Sequence, residues 1–459
     1  MSYHFIGIGG CGMSGLAQVL HHRRHKITGS DKESSTVIER LGRRGIHVNI
    51  GHRSDGVPAD TEYVVISAAI QDDNPELITA RQRGLSIYKY SELLGKLSRQ
   101  MTTLAIAGTH GKSTTSGWLA YMLRQGGMDP SFVIGADVEQ LGGGSGAGRG
   151  DYLVVEACEY DRSFLNLHPR VAAILNIEAD HMDYYRDLDE IIEAFGDFAQ
   201  MAGPEGLLVA NAADKNLKRI LDQKKNRIET FSLHGDDADW RAGQLEFMEG
   251  CGHFDLIYGQ RGLGRVKLSL PGLHNVANAL AVAAMAHEAG LNDQSICLGL
   301  ENFVGVGRRL SYKGEVGGVV VLDDYAHHPT EIRTTLEAIH GLYHPIRLWC
   351  VFQPHQHSRT RFLLSEFASS FGGADVVLLP DIYFVRESEQ LRREVNADQL
   401  AQQINANKGH AEYLGEFNRI LDRLCTETQA GDVVVVMGAG DIWKLADELI
   451  YRLGRDCQA

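Results

Sequence analysis

The stretch TLAIAGTHGKST, residues 103–114, decides the architecture. The short apolar run TLAIA leads into a glycine turn, a Gly-Lys-Ser core and the apolar helical pattern SGWLAYML. A buried strand, a phosphate-cradling loop and a helix, in that order, form the repeating unit of a parallel α/β sheet. In such a loop, backbone amides hold a β-phosphate, Lys112 reaches the β and γ oxygens, and the Ser113 hydroxyl is placed to ligate Mg²⁺. Gly108, Thr109, His110, Gly111 and Thr114 complete the expected ATP cradle. The spacing departs from the standard loop, whose first glycine would fall at Ile106. Gly108 serves a shorter loop instead.

Similar apolar runs recur outward from this point: YHFIGI, YVVISAA, DYLVVEA, VAAILNI, GLLVAN, VVVLDDY, IRLWCVF, DVVLLP and DVVVVMGAG. They are short, rich in Val and Ile, and separated by helical patterns, as buried parallel strands are. Gly7-Ile8-Gly9-Gly10-Cys11-Gly12 follows the first of them and opens a helix, matching a dinucleotide-type G-x-G-x-x-G turn. Such glycines let backbone N–H groups approach a diphosphate, and Asp31, after KITGSD, stands where these folds meet a ribose. Restarting nucleotide motifs divide the chain into three α/β units, at 1–95, 96–303 and 304–459. LGGGSGAGRGD (141–151) reads as a flexible surface loop, and residues 215–265 as sheet-and-loop decoration.

The composition is that of a soluble globular protein, with 44% hydrophobic and 23% charged residues over 459 positions. A net charge of −14 argues against a nucleic-acid surface. No run approaches the ~20 apolar residues of a membrane span. The chain opens straight into a strand, so no signal peptide is expected. Seven scattered cysteines without a CxxC pair read as reduced thiols in a cytoplasm. The chain is expected to be a monomer or homodimer.

Acidic partners for a bound metal are expected at neighbouring strand ends. DYLVVEA delivers Glu156; VAAILNIEADHMD delivers Asn176, Glu178, Asp180 and His181. PGLHNVANALA presents His274, Asn275 and Asn278, and GVGRRL presents Arg308 and Arg309. DDYAHHPTEI gives Asp323, Asp324, His327 and His328, and VFQPHQHSRT gives Gln353, His355, Ser358 and Arg359 as anion binders. HHRRH (21–25) reads as a solvated helix end.

In this order, these motifs resemble the Mur ligase family of peptidoglycan synthesis over nearly the whole chain. That resemblance implies a Rossmann-like domain for a UDP-sugar, a central P-loop ATPase-type domain, and a C-terminal Rossmann-like domain bringing an amino acid. It implies ATP and Mg²⁺, with Ser113, Glu156 and His181 as metal ligands and Lys112, His181, Arg309 and His327 as catalytic groups. His274 and Asn275 would face adenine, and Asp324 the ATP ribose. Gly9, Gly10, Cys11, Gly12, Asp31 and Ser67 would hold the UDP-sugar, and His327 with Arg359 the amino acid. DDYAHHPTE and FQPH..SRT are closest to members that add L-alanine to UDP-N-acetylmuramate. The alternative is a member attaching an intact recycled tripeptide. A nicotinamide-dependent dehydrogenase is more distant, because it leaves Lys112, Glu156 and His181 without a use. Two departures from the family pattern are Cys158 and Tyr160 within EACEYD, and Leu310 where an aromatic is usual.

Overall fold

The computed structural model describes residues 1–221, 227–233, 237–384, 387 and 392–456, which build three sheets. The first comprises β1 (Ser2–Ile6), β2 (Lys26–Asp31), β3 (His47–Ile50), β4 (Tyr63–Ile66) and β5 (Ser86–Lys89), in the order 3-2-1-4-5. All its pairings are parallel. Connections from β1 and β4 run to opposite sides, so a crevice opens beyond their carboxyl ends, where such sheets take ligands. Gly7–Gly12 follows β1 and Ser67 follows β4.

The second sheet has β6 (Thr102–Ala107), β7 (Ser131–Val133), β8 (Ser145–Gly146), β9 (Tyr152–Glu156), β10 (Val171–Ile174) and β11 (Leu207–Asn211). It is widened by β12 (Arg227–Ser232), β13 (Trp240–Met248), β14 (Cys251–Tyr258) and β15 (Arg261–Pro271). The order is 15-14-13-12-11-10-6-9-7-8. β6 therefore lies between β9, which ends in Glu156, and β10, which leads to Asn176–His181. This neighbourhood brings both acidic segments to the loop that follows β6. The helix Lys112–Gln125 is buried from Ser113 to Leu123. Trp118 fixes it, stacking on Phe303 at 5.2 Å and donating Nε1–H to the Gly299 carbonyl at 3.0 Å.

The third sheet contains β16 (Ser311–Val316), β17 (Val319–Asp324), β18 (Leu348–Phe352), β19 (Val376–Pro380), β20 (Ala411–Gly415) and β21 (Val433–Met437). Its order is 16-17-21-18-19-20, with only β16 antiparallel. Asp324, Met437 and Phe352 share one register line, so the segments after β17, β21 and β18 emerge side by side.

Two expectations need correction. Residues 141–151 do not form a flexible surface loop: Gly143, Gly144 and Ser145 are buried, and β8 lies within the segment. A Cβ on Gly144 would sit 2.4 Å from the Ala136 carbonyl oxygen, so glycine serves close backbone packing there. Residues 215–265 do contribute sheet as expected, but as part of the central sheet and not as decoration on it: β12–β15 extend it, with β14 and β15 antiparallel. The β13–β14 turn reaches the third unit. A Cβ on Gly250, whose φ is 71°, would lie 3.0 Å from backbone atoms of Gly341 in the helix Pro329–Tyr343.

Candidate active site

The loop after β6 is held by its neighbours. The Asn176 side chain accepts from the His110 N–H at 2.8 Å and donates to the His110 carbonyl at 3.1 Å. Thr109 N–H reaches the Asn176 carbonyl at 3.1 Å, and Thr109 Oγ1 accepts from Glu178 N–H at 2.8 Å. Gly111 caps the following helix with φ 82°, and a Cβ there would be 2.8 Å from Asn278 Oδ1. Lys112 Nζ folds back onto the Gly108 and Thr109 carbonyls at 2.5 and 3.1 Å and onto Glu159 Oε1 at 2.8 Å. Burial disfavours its charge, but the Glu159 carboxylate outweighs that and raises the lysine pKa.

Glu159 was not singled out in the sequence. It is buried, lies 3.7 Å from His181 Nε2, and its Oε2 has no hydrogen-bond partner among the described residues. His181 adopts a left-handed φ of 55° and packs edge-on to Tyr160 at 5.2 Å. Glu156 Oε2 accepts from Gly135 N–H at 2.6 Å, and its charge acts on both Lys112 and Arg309. Ser113, in the first turn of the P-loop helix, is buried.

A cavity of about 420 Å³ lies on the seam between the central and third units. His110, Gly111, Thr114, His274, Asn275, Arg309 and Asp324 all line it, so the structure brings together most of the residues expected around the nucleotide. Burial, with help from Arg309, drives the His274 imidazole down to about 4, leaving it neutral. Both Asp324 oxygens are engaged by backbone, from Leu310 N–H at 2.6 Å and Ala326 N–H at 2.7 Å. Burial still lifts its carboxyl to about 6.

Glu331 organises this seam and was also not singled out. Its Oε1 is 3.2 Å from His110 Nδ1 and 3.5 Å from Arg309 Nη1; its Oε2 accepts from His327 N–H at 3.0 Å. An acidic residue in the first turn of a helix reads as ordinary dipole compensation, so its sequence carried no further signal. Burial pulls the His110 imidazole down, but the Glu178 carboxylate 3.5 Å from Nε2 and the Glu331 hydrogen bond outweigh that and lift it to about 9. His110, Glu178 and His328 offer three ligand atoms within 4.8 Å of one another.

This elevated histidine makes a pH prediction. A folded value above the ordinary one stabilises fully below about pH 6.5, and the stabilisation is lost as pH rises through about 9. The apparent Tm should therefore fall between about pH 7 and 10, with up to ~3 kcal/mol at stake. His110→Gln should flatten that decline; an unchanged alkaline slope in the variant would place the cause elsewhere.

At the far side of the seam, Arg359 Nε donates to Asp180 Oδ1 at 2.9 Å, both side chains being buried. His327 lies alongside. Burial lowers its imidazole to about 3, and Nδ1–H donates to the Tyr325 carbonyl at 3.0 Å. It is neutral, so Arg359 rather than His327 supplies positive charge. Among the other expected anion binders, Ser358 is spent internally on Glu387; Arg308 likewise ties Asp323 to the Gly438 carbonyl.

In the first unit, Gly9 N–H donates to Asp31 Oδ2 at 2.7 Å, so Asp31 shapes the glycine turn itself. Gly9 and Gly12 leave no room for a Cβ, which would meet Asp31 at 2.8 Å and the Tyr90 ring at 2.6 Å. Ser67 Oγ faces Gly7, and Gly10 caps the helix Cys11–His22. Cys11 Sγ donates to the Ile134 carbonyl at 3.1 Å, one residue from the Gly135 N–H that Glu156 accepts. A second cavity, of about 540 Å³, opens between Cys11, Ser14, Arg40 and the central unit's Asp137 and Ser145.

Three family descriptions match consecutive stretches: "Mur ligase family, catalytic domain" over residues 2–102, "Mur ligase middle domain" over 106–286, and "Mur ligase, glutamate ligase domain" over 308–440. The UDP-N-acetylmuramate–L-alanine ligase of Geotalea uraniireducens is 41% identical, covering 99% of this chain and 98% of its own. That of Acetivibrio thermocellus is 39% identical, covering 97% and 94%. Among solved structures, the UDP-N-acetylmuramate–alanine ligase of Thermotoga maritima superposes with a TM-score of 0.82 at 25% identity, covering 99% and 100%. A murein peptide ligase from Psychrobacter arcticus gives 0.75 at 27%, covering 99% of each chain.

Proposed function

The chain belongs to the Mur ligase family, and on that premise we propose that it joins L-alanine to the lactyl carboxylate of UDP-N-acetylmuramate at the expense of ATP. The observation that carries this reading is the seam cavity, where the P-loop of one unit meets Arg309, Asp324 and Glu331 of the next. We place the domain limits at 1–95, 96–303 and 304–459; the three separate sheets support this division, while the first limit falls within the helix Tyr90–Ser98 that joins the first two units.

The sugar carboxylate attacks the γ-phosphorus of ATP, giving an acyl phosphate and ADP. The alanine amine then attacks the acyl carbon, and phosphate leaves. Gly108–Thr114 cradles the phosphates, and Lys112 exchanges the Glu159 carboxylate and loop carbonyls for phosphate oxygens. Arg309 faces the γ-phosphate. His274 and Asn275 face adenine, and Asp324 the ribose. Gly9, Gly10, Cys11, Gly12, Asp31 and Ser67 hold the UDP-sugar. Arg359 takes the alanine carboxylate, and neutral His327 stands beside it as a hydrogen-bonding group.

Ser113 and Glu156 suit Mg²⁺, since hydroxyl and carboxylate oxygens are the donors a hard cation takes; His181 would add an imidazole nitrogen beside them, where the unpaired Glu159 oxygen supplies negative potential. Bound there, Mg²⁺ offsets repulsion between the carboxylate and the phosphates. Glu156→Gln keeps the shape and the Gly135 contact but removes charge, so half-maximal activity should need about tenfold more Mg²⁺. An unchanged titration would move the metal site.

The chain acts in the cytoplasm as a monomer or homodimer, without nucleic acid or membrane insertion. Among the described residues, no helix is long and apolar enough to cross a membrane. Phosphate release that requires both UDP-N-acetylmuramate and L-alanine tests the activity; release with either one omitted would refute it. Arg359→Ala should raise the KM for alanine at least about tenfold and leave that for the sugar within about twofold. Efficient use of the tripeptide L-Ala-γ-D-Glu-meso-diaminopimelate, with weak use of alanine, would favour the tripeptide-attaching branch.

A further inference from the structure

Three consecutive residues after β10 each bond to the third domain. Glu178 Oε2 accepts from Thr330 Oγ1 at 2.6 Å, the Ala179 carbonyl accepts from His328 Nε2 at 3.2 Å, and Asp180 Oδ1 accepts from Arg359 Nε at 2.9 Å. Only the last is a pair of full charges, and it is deeply buried, with side-chain exposures of 7% for Asp180 and 8% for Arg359. Charges that far from water are retained when they are hydrogen-bonded and oriented. The guanidinium is oriented at two nitrogens: Asp180 holds Nε, while Nη1 lies 3.3 Å from His355 Nδ1 and 3.4 Å from its carbonyl. Nη2 makes no hydrogen bond among the described residues.

We propose that Asp180 is a positioning residue for the amino acid: from the central domain it fixes Arg359 of the third domain so that Nη2 presents to the alanine carboxylate. The inference rests on the reading of Arg359 given above. Asp180 touches neither substrate. Its place immediately before His181, whose N–H its Oδ1 also accepts at 2.7 Å, ties the amino-acid site to the phosphate-facing strand end. The guanidinium is set only while the two domains are in contact, so alanine is recognised fully only in that arrangement.

A double-mutant cycle on the full-length protein separates this role from simple support of the fold. Asp180→Asn keeps the shape and removes the charge. It should raise the KM for alanine about tenfold, leaving the KM for UDP-N-acetylmuramate within about twofold. In an Arg359→Ala background the same change should move the alanine KM less than about twofold, because its effect passes through the arginine. Asp180→Glu restores the charge at a longer reach and should recover part of the alanine KM; it carries the cycle if Asp180→Asn does not fold. Equal effects of Asp180→Asn in both backgrounds would overturn the proposal and assign Asp180 to His181 instead. So would a loss confined to kcat. An alanine KM unchanged in Arg359→Ala alone would overturn the reading of Arg359, a separate failure.

Discussion

Lys112→Ala should reduce ligation about a thousandfold or more while the protein remains folded. Its ammonium is the P-loop charge expected to reach the β and γ oxygens, and positioned charge accounts for most of the acceleration in phosphoryl transfer. The loop itself shows the strength of its field, since Lys112 holds two carbonyls and Glu159 at hydrogen-bond distance. Removing it leaves Glu159 buried and uncompensated, so the Tm should drop. Lys112→Ala with Glu159→Gln should recover Tm without recovering turnover. Retention of more than about a tenth of wild-type turnover, a barrier change under ~1.4 kcal/mol, would remove Lys112 from the phosphate site.

Glu331→Gln should have the second largest effect, on stability and turnover together. The carboxylate faces the His110 imidazolium and the Arg309 guanidinium and fixes the His327 backbone, all in a buried setting. Breaking a buried charge network by neutralising one member costs about 3–5 kcal/mol. The Tm should fall, and the alkaline loss linked to His110 should begin at lower pH, since one of its two carboxylate partners is gone. Wild-type Tm and wild-type alkaline behaviour in Glu331→Gln would show that the seam is held by other contacts.

Much of this was legible in the sequence, for a physical reason. Strands buried on both faces need continuous apolar runs, so β1, β4, β6, β9, β10, β11, β17, β18, β19 and β21 stood out as uninterrupted Val- and Ile-rich segments. Edge and antiparallel strands do not need them. HVNI in β3 has no buried position, its ends being exposed and its middle half-buried, and CGHFDLIY in β14 alternates buried with half-buried positions. The glycines of 141–151 misled because composition alone cannot separate a free loop from tight backbone packing. Within the site, motif residues were visible because chemistry restricts their type. Glu159 and Glu331 act through partners distant in sequence, Lys112 and His110, and only the fold brings these together.

The meeting of Gly250 with Gly341 bears on how the cleft opens. Here the β13–β14 turn and the helix Pro329–Tyr343 touch backbone to backbone, with no side chain from either glycine interleaved. A joint of interdigitated side chains must change rotamers before it parts, whereas two bare backbones separate or slide with only dispersion to overcome. Of the contacts across the seam, this one offers the least resistance to parting, and the polar clasp of Glu178, Asp180, Arg359 and Glu331 offers the most.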